Sequence, residues 1–228
     1  VLERAGRIEE DVAGITRLAE AGADAVGGVV RITAVSALIG EWLAPRLPGL
    51  YARHPELCVD LVASNDNLNV ARREADIAIR LARPASGDFL IRKLAAVGFA
   101  VYGAARGDLR VSAGDWVAYN EDLDHTPEMR RLHAMLGDGR IRLRSNSLRG
   151  LTRAVAGGIG HGLLPCFVAD ADPGLVRLSG AEPILSRELW MLIHPDARPL
   201  ARVAAAADWL VERFGEESAS FAGVGADP

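Results

Sequence analysis

Residues 29–35, Val-Val-Arg-Ile-Thr-Ala-Val, form a nearly unbroken run of β-branched and small apolar positions. That is the pattern of a strand buried on both faces. Ser36 follows at once and is placed to cap a helix. Leu38, Ile39, Trp42, Leu43, Leu47, Leu50 and Tyr51 then recur at helical spacing and make one apolar face. Pro45 and Pro48 fall inside that run, where proline should kink or interrupt a helix, yet the element is read as one helix. His54-Pro55 ends the element. Residues 58–63 read as a second strand, 69–74 as a short helix and 76–81 as a third strand. After the loop Arg83-Pro84-Ala85-Ser86-Gly87-Asp88, residues 89–104 make a long strand-like run with Gly98 in its middle. A run of that length can carry the chain from one lobe into another.

The second half repeats the alternation. Residues 116–119 read as a strand, and Thr126-Pro127-Glu128 opens a helix with Thr as cap and Pro at its first position. Residues 140–145 alternate as a strand, and Ser147 caps a helix whose apolar face is Leu148, Leu151, Val155 and Ala156. Gly157, Gly158 and Gly160 close that helix, Leu163-Leu164-Pro165 ends a strand, and 175–178 and 188–194 read as two more. Leu200, Val203, Ala204, Ala207, Leu210, Val211 and Phe214 keep clear helical spacing, and the small, polar residues after Gly215 predict a frayed end. Strands alternating with helices predict an α/β fold with a mostly parallel sheet covered on both faces. Ahead of all this, Val1, Ala5, Ile8, Val12, Ile15 and Ala19 step by fours and threes as a heptad seam. It suits a helix that pairs with a second chain, and equally an amphipathic helix packed on its own domain. Gly22, Gly27 and Gly28 then mark a linker.

The 228 residues allow one large domain or two small ones. A formal net charge of −4 argues against the whole chain gripping nucleic acid. No run of eighteen apolar residues predicts a membrane span, and the acidic, amphipathic start is not a signal peptide, so a cytoplasmic location is expected. The chain begins without Met, as a fragment would. Cys58 and Cys166 stand far apart in unlike contexts and read as reduced thiols. The five histidines lack the paired spacing of zinc ligands, so no metal is expected. There is no G-x-S-x-G elbow, no P-loop and no G-x-G-x-x-G after a strand, so neither catalysis nor a cofactor is expected. Gly157-Gly158-Ile159-Gly160 follows a helix and precedes a strand, the wrong order for a dinucleotide. Asp122, Asp124 and His125 read as a solvated loop.

The order of heptad helix, glycine linker, "VRITAVSALIGEWLAPRLPGLYARHPELCVDLVAS", "EADIAIRLA", "LRSNSLRGLTRAVAGGIGHGLLPCF", "LVRLSG" and "ELWMLIHPDA" resembles the LysR-type transcriptional regulators over about residues 5–214. The similar part is their effector-binding portion; the family's winged helix-turn-helix is absent from this sequence. The resemblance implies two Rossmann-like subdomains joined by crossover strands, a periplasmic-binding-protein-like fold preceded by a linker helix. Mapped here, 1–27 would be linker helix and linker, 28–97 plus 195–217 subdomain I, 98–194 subdomain II, and 218–228 the frayed tail. It implies a small-molecule effector between the subdomains, a homodimer or homotetramer, and DNA contacts made only through the missing N-terminal domain. The order of elements also suits a transporter's solute-binding protein, although the heptad helix would then be unexplained.

In open α/β sheets ligands bind beyond the carboxyl ends of strands, where helix N-termini converge. Three such junctions stand out: Ser36 with Ala37, Ser64 with Asn65, and Asn146 with Ser147. Free N–H groups at a helix start attract anions. The resemblance points to Ser36, Ser64 and Asn65, and to Leu164, Pro165 and Phe167 after the glycine turn. Arg80 ends the third strand and offers a positive charge; Tyr119 and Asn120 complete the set. The serines and Arg80 lean toward an anionic effector. Each residue also has a plainer role: a cap for Ser36 and Ser147, a turn for Asn65, a surface ion pair for Arg80, core packing for Phe167.

Overall fold

A computed structural model describes residues 26–64, 75–84, 87–106 and 114–224. The heptad helix, the helix expected over 69–74 and Asn65 lie outside the described residues. The chain divides into two compact units. Unit I takes the chain to Leu94 and again over Leu189–Gly215; unit II takes Ala95–Glu188 and everything from Glu216 on.

In unit I the apolar run is strand β1 (Gly28–Ala34), which lies parallel to both β2 (Leu57–Ala63) and β3 (Ile77–Arg80). All four residues of β3 are buried, as an apolar run covered on both faces requires. Val30, Ile32, Ile77 and Ile79 are fully buried at the centre of this core. The helix runs on through Pro45 and Pro48, as read from the sequence. Helix α1 (Leu38–Leu43) is wound as a π-helix, and the Ala44 N–H bonds the Ile39 carbonyl, five residues back. The wider turn delivers Pro45 into the first turn of helix α2 (Ala44–Arg53), where a missing N–H costs least. Beside it Arg46 Nη1 donates to the Trp42 carbonyl at 2.9 Å, supplying a donor where the ladder is irregular. Pro48 is carried inside α2.

Unit II is entered along β4 (Leu90–Ala104), and its strands run in the order β4-β7-β5-β6. Here β5 (Asp115–Tyr119) is parallel to β6 (Arg140–Ser145) and β7 (His161–Pro165). The antiparallel pairs are β4 with β7, β4 with β8 (Leu175–Arg177), and in unit I β3 with β9 (Leu185–Ile193). The sheet expected to be mostly parallel is therefore mixed. Its antiparallel members are the strands that carry the chain out and back, β4 and β9, together with β8. Helices α3 (Pro127–Leu136), α4 (Leu148–Ala156) and α5 (Cys166–Ala169) belong to this unit. Tyr102, Val117, Leu151, Val155, Leu164 and Cys166 form one buried cluster.

The crossings fall at Leu94/Ala95 and Glu188/Leu189, a few residues before the places the sequence suggested. Both lie inside unbroken strands, so no breaker residue marks them. After helix α6 (Ala201–Glu216) the expected frayed tail is instead helix α7 (Ser218–Ala222), with Phe221 fully buried. One aromatic in a run of small residues sets up no period, so the sequence could not show it. Among the described residues no helix is long and apolar enough to cross a membrane.

Candidate effector site

In unit I the parallel order β2-β1-β3 brings three strand carboxyl ends side by side. Ser64 sits just past β2, and its N–H bonds the Ala34 carbonyl at the end of β1. Arg80 is the last residue of β3 and only 3 % exposed. Its Nη1 donates to the carbonyls of Thr33 and Ile79, each at 3.0 Å, and its Nη2 to Thr33 Oγ1 at 3.1 Å. Arg80 is therefore buried rather than on the surface, and these bonds fix its guanidinium at the strand ends. Thr33 was missed in the sequence because its strand position reads as core.

Ser36 does not cap its helix. Val35 takes that place, its carbonyl accepting the Ile39 N–H at 3.2 Å. Ser36 and Ala37 are already helical, Ser36 is exposed, and Ala37, at the head of the π-wound turn, makes no side-chain cap bond. The helix start thus keeps first-turn N–H groups with no side-chain acceptor, beside an exposed hydroxyl. Ser36, Ala37, Ser64 and Arg80 share one end of unit I.

Unit II gathers its own set. Asn120 follows β5, and its N–H bonds the Ser145 carbonyl at the end of β6. Asn146 and Ser147 come next and are exposed. Ser147 is a true cap: Oγ accepts the Gly150 N–H at 3.2 Å, while its own N–H bonds Ser145 Oγ at 3.1 Å. Leu164 and Pro165, at the end of β7, are buried, and Leu164 belongs to the buried cluster of this unit. Phe167 is half-buried, and its ring stacks on Phe221 with centroids 4.7 Å apart.

Behind Tyr119 lies a feature the sequence did not disclose. Glu128, in the first turn of α3, is buried, and Arg187 of β9 donates to both its oxygens at 2.9 Å. Burial pushes the Tyr119 hydroxyl's pKa well up, and the neighbouring Glu128 charge adds to the rise. Tyr119 therefore stays neutral and can donate a hydrogen bond. The two carriers of this pair are fifty-nine residues apart in different elements, so no local pattern announces it. Among the described residues no group of three His, Cys, Asp or Glu side chains is placed to hold a metal ion.

The arrangement offers hydroxyls, amides, helix-start N–H groups and a buried guanidinium, which suit binding a small polar molecule. Residues 23–215 match the family model described as the LysR substrate binding domain. The chain is 35% identical over 191 residues to a Mau operon transcriptional activator of Paracoccus denitrificans. That match takes in 82% of this chain, which spans 65% of the relative's length, a little under two thirds. Among solved structures, CrgA, a LysR-type transcriptional regulator from Neisseria meningitidis, superposes with a TM-score of 0.72 at 20% identity, covering 93% of this chain and 77% of that one. The regulatory domain of Synechocystis PCC6803 CcmR, in complex with 2-PG, superposes with a TM-score of 0.64 at 16% identity, covering 82% and 97%. At these identities the structural matches establish the fold.

Proposed function

The chain belongs to the LysR substrate-binding domain family, and on that premise we propose that it is the effector-sensing part of a DNA-binding transcriptional regulator. The ligand is a small anionic molecule, contacted by the polar strand ends of both units: Ser36, Ala37, Ser64, Asn65 and Arg80 from unit I, and Tyr119, Asn120, Asn146, Ser147 and the Leu164, Pro165 and Phe167 corner from unit II. Its binding favours one conformation of a dimeric or tetrameric regulator through differential affinity. DNA is contacted by a separate winged helix-turn-helix domain, and the protein works in the cytoplasm.

One observation carries this reading: a buried Arg80 beside an uncapped helix start, at a shared strand end. Both features favour an anion. The test is a thermal-shift screen of the 228-residue chain against small carboxylates, phosphorylated acids, aromatic acids and neutral amides. A ligand of the native state raises the melting temperature. Anionic compounds should do so in the native sequence and not in Arg80→Met. Hits confined to neutral compounds, or hits indifferent to Arg80, would overturn the anionic reading.

A further inference from the structure

Helix α6 ends at Glu216, where unit II resumes, and α7 begins one residue later at Ser218. A five-residue helix cannot hold itself; α7 is held by what it rests on. Phe221 is fully buried and stacks on Phe167 at 4.7 Å. Arg177, on β8, spreads its guanidinium under the segment. Nη1 donates to the carbonyls of Gly223 at 2.9 Å and Ala181 at 2.7 Å, and Nη2 to Cys166 Sγ at 2.8 Å. Gly223 takes φ +70°, open to glycine and strained for other residues. A Cβ there would stand 2.5 Å from Cys166 Sγ. From below, Gly98 of β4 lies so close to the Ala222 carbonyl that it too has no room for a side chain. The seat is shaped to this segment, and the segment is a lid over Cys166.

We propose that residues 218–224 are a releasable strap on unit II, which when docked seals Cys166 and fixes the Phe167 ring, and when released frees both without unfolding the unit. Ser218, Ala219, Ser220 and Val224 are exposed and Phe221 is the one large side chain the strap buries, whereas the unit beneath it rests on a contiguous core. Segments that bury so little apolar surface open first. The single residue Glu217 ties the strap to α6, so a change at the end of that helix is transmitted to Phe221 and through it to Phe167. Phe167 is among the effector contacts proposed above, and the strap would then bias ligand uptake. The strap itself stands or falls independently of that reading, because its test needs no effector.

The two thiols supply the test. Cys58 is exposed and Cys166 is buried. With 5,5′-dithiobis(2-nitrobenzoate), Cys58 should react in a fast phase and Cys166 in a slow one, at a rate set by how often the strap opens. At low urea that slow rate should be nearly flat, because local opening exposes little surface. Phe221→Ala and Gly223→Ala should each speed the slow phase by about tenfold or more and leave the Cys58 phase unchanged. A slow phase that climbs steeply with urea alongside the loss of circular dichroism would overturn the proposal. So would a Cys166 that reacts as fast as Cys58, or one indifferent to both substitutions. The urea dependence of the unsubstituted chain decides the matter even where a variant fails to fold.

Discussion

Ser36 and Ser147 occupy the same place in their units, each after a strand and at the head of a helix, yet only Ser147 is a cap. Strand β6 ends at Ser145, leaving two residues before α4, and Ser147 turns its hydroxyl onto the Gly150 N–H. Strand β1 ends at Ala34, the chain enters the helix one residue sooner, and Val35 supplies the capping carbonyl. The cations differ as well: Arg187 donates twice to the Glu128 carboxylate on its own unit, and Arg80 donates to Thr33 and Ile79 at the strand ends. Unit II completes its cap and its Glu128–Arg187 pair internally; under the proposed function, the fixing of an anion falls mainly to unit I, at Arg80 and the first-turn N–H groups.

The largest effect should come from breaking the internal completion of unit II. Glu128→Ala removes the buried carboxylate to which Arg187 donates two bonds, a change that costs about 3–5 kcal/mol. Replacing both partners by Met should restore most of the loss, because the pair's desolvation cost disappears with it. Urea unfolding, with hydrogen exchange resolving β5 and α3, would measure this. A loss under about 1 kcal/mol would mean that water reaches the pair.

Arg80→Met is the matching cut in unit I. It leaves the Thr33 carbonyl and hydroxyl without their donor, a cost of about 1–3 kcal/mol. The comparison sharpens in binding: the same variant should lose the response to anionic ligands, and Glu128→Gln should keep it. An Arg80→Met protein that still binds carboxylates with native affinity would move the anion site elsewhere.

What the sequence made legible, and what it did not, follows the range of the interactions involved. The strands of both units were readable from runs of β-branched residues, and the Ser147 cap from a hydroxyl three residues ahead of an exposed helical N–H. These are local patterns. The π-wound start of α1 was hidden, because the wide turn before Pro45 depends on how Trp42 and Leu43 pack, and both are buried. The Glu128–Arg187 pair, the Thr33 partners of Arg80 and the seat of Phe221 each join residues from different elements, and no period records them. Among the candidate residues, the junction argument pointed to polar strand ends, and Leu164 and Pro165 came from the resemblance; both lie buried at the end of β7.

A paired truncation tests the capping contrast at a smaller scale. Ser147→Ala should cost about 1 kcal/mol, the usual loss for a capping hydroxyl. Ser36→Ala should change stability by less than about 0.5 kcal/mol, since its hydroxyl caps nothing, and should instead weaken ligand uptake. Chemical denaturation of the two variants side by side measures both. Equal losses would erase the distinction between a finished joint and an open one.

The smallest effect sets an exposed ion pair of unit I against the buried one of unit II. Glu212 of α6 meets Arg53 at the end of α2, with Arg53 Nη2 donating to Oε1 at 2.8 Å. That bond, more than any other influence, holds the Glu212 carboxyl down at about 2, from an ordinary value of 4.5. The sign follows from linkage: a depressed carboxyl contributes stability above its unfolded value, and the contribution fades as pH falls through the folded one. The native protein should therefore exceed Glu212→Gln in stability by a constant small margin above about pH 5, and the margin should close between about pH 4.5 and pH 2. Both side chains are more than 40% exposed, so the margin should also shrink in salt. Acid titrations of the two proteins, followed by circular dichroism at low and high ionic strength, read this directly. A gap that persists unchanged to pH 2 would place its origin in packing of the Glu212 stem against its neighbours rather than in its charge.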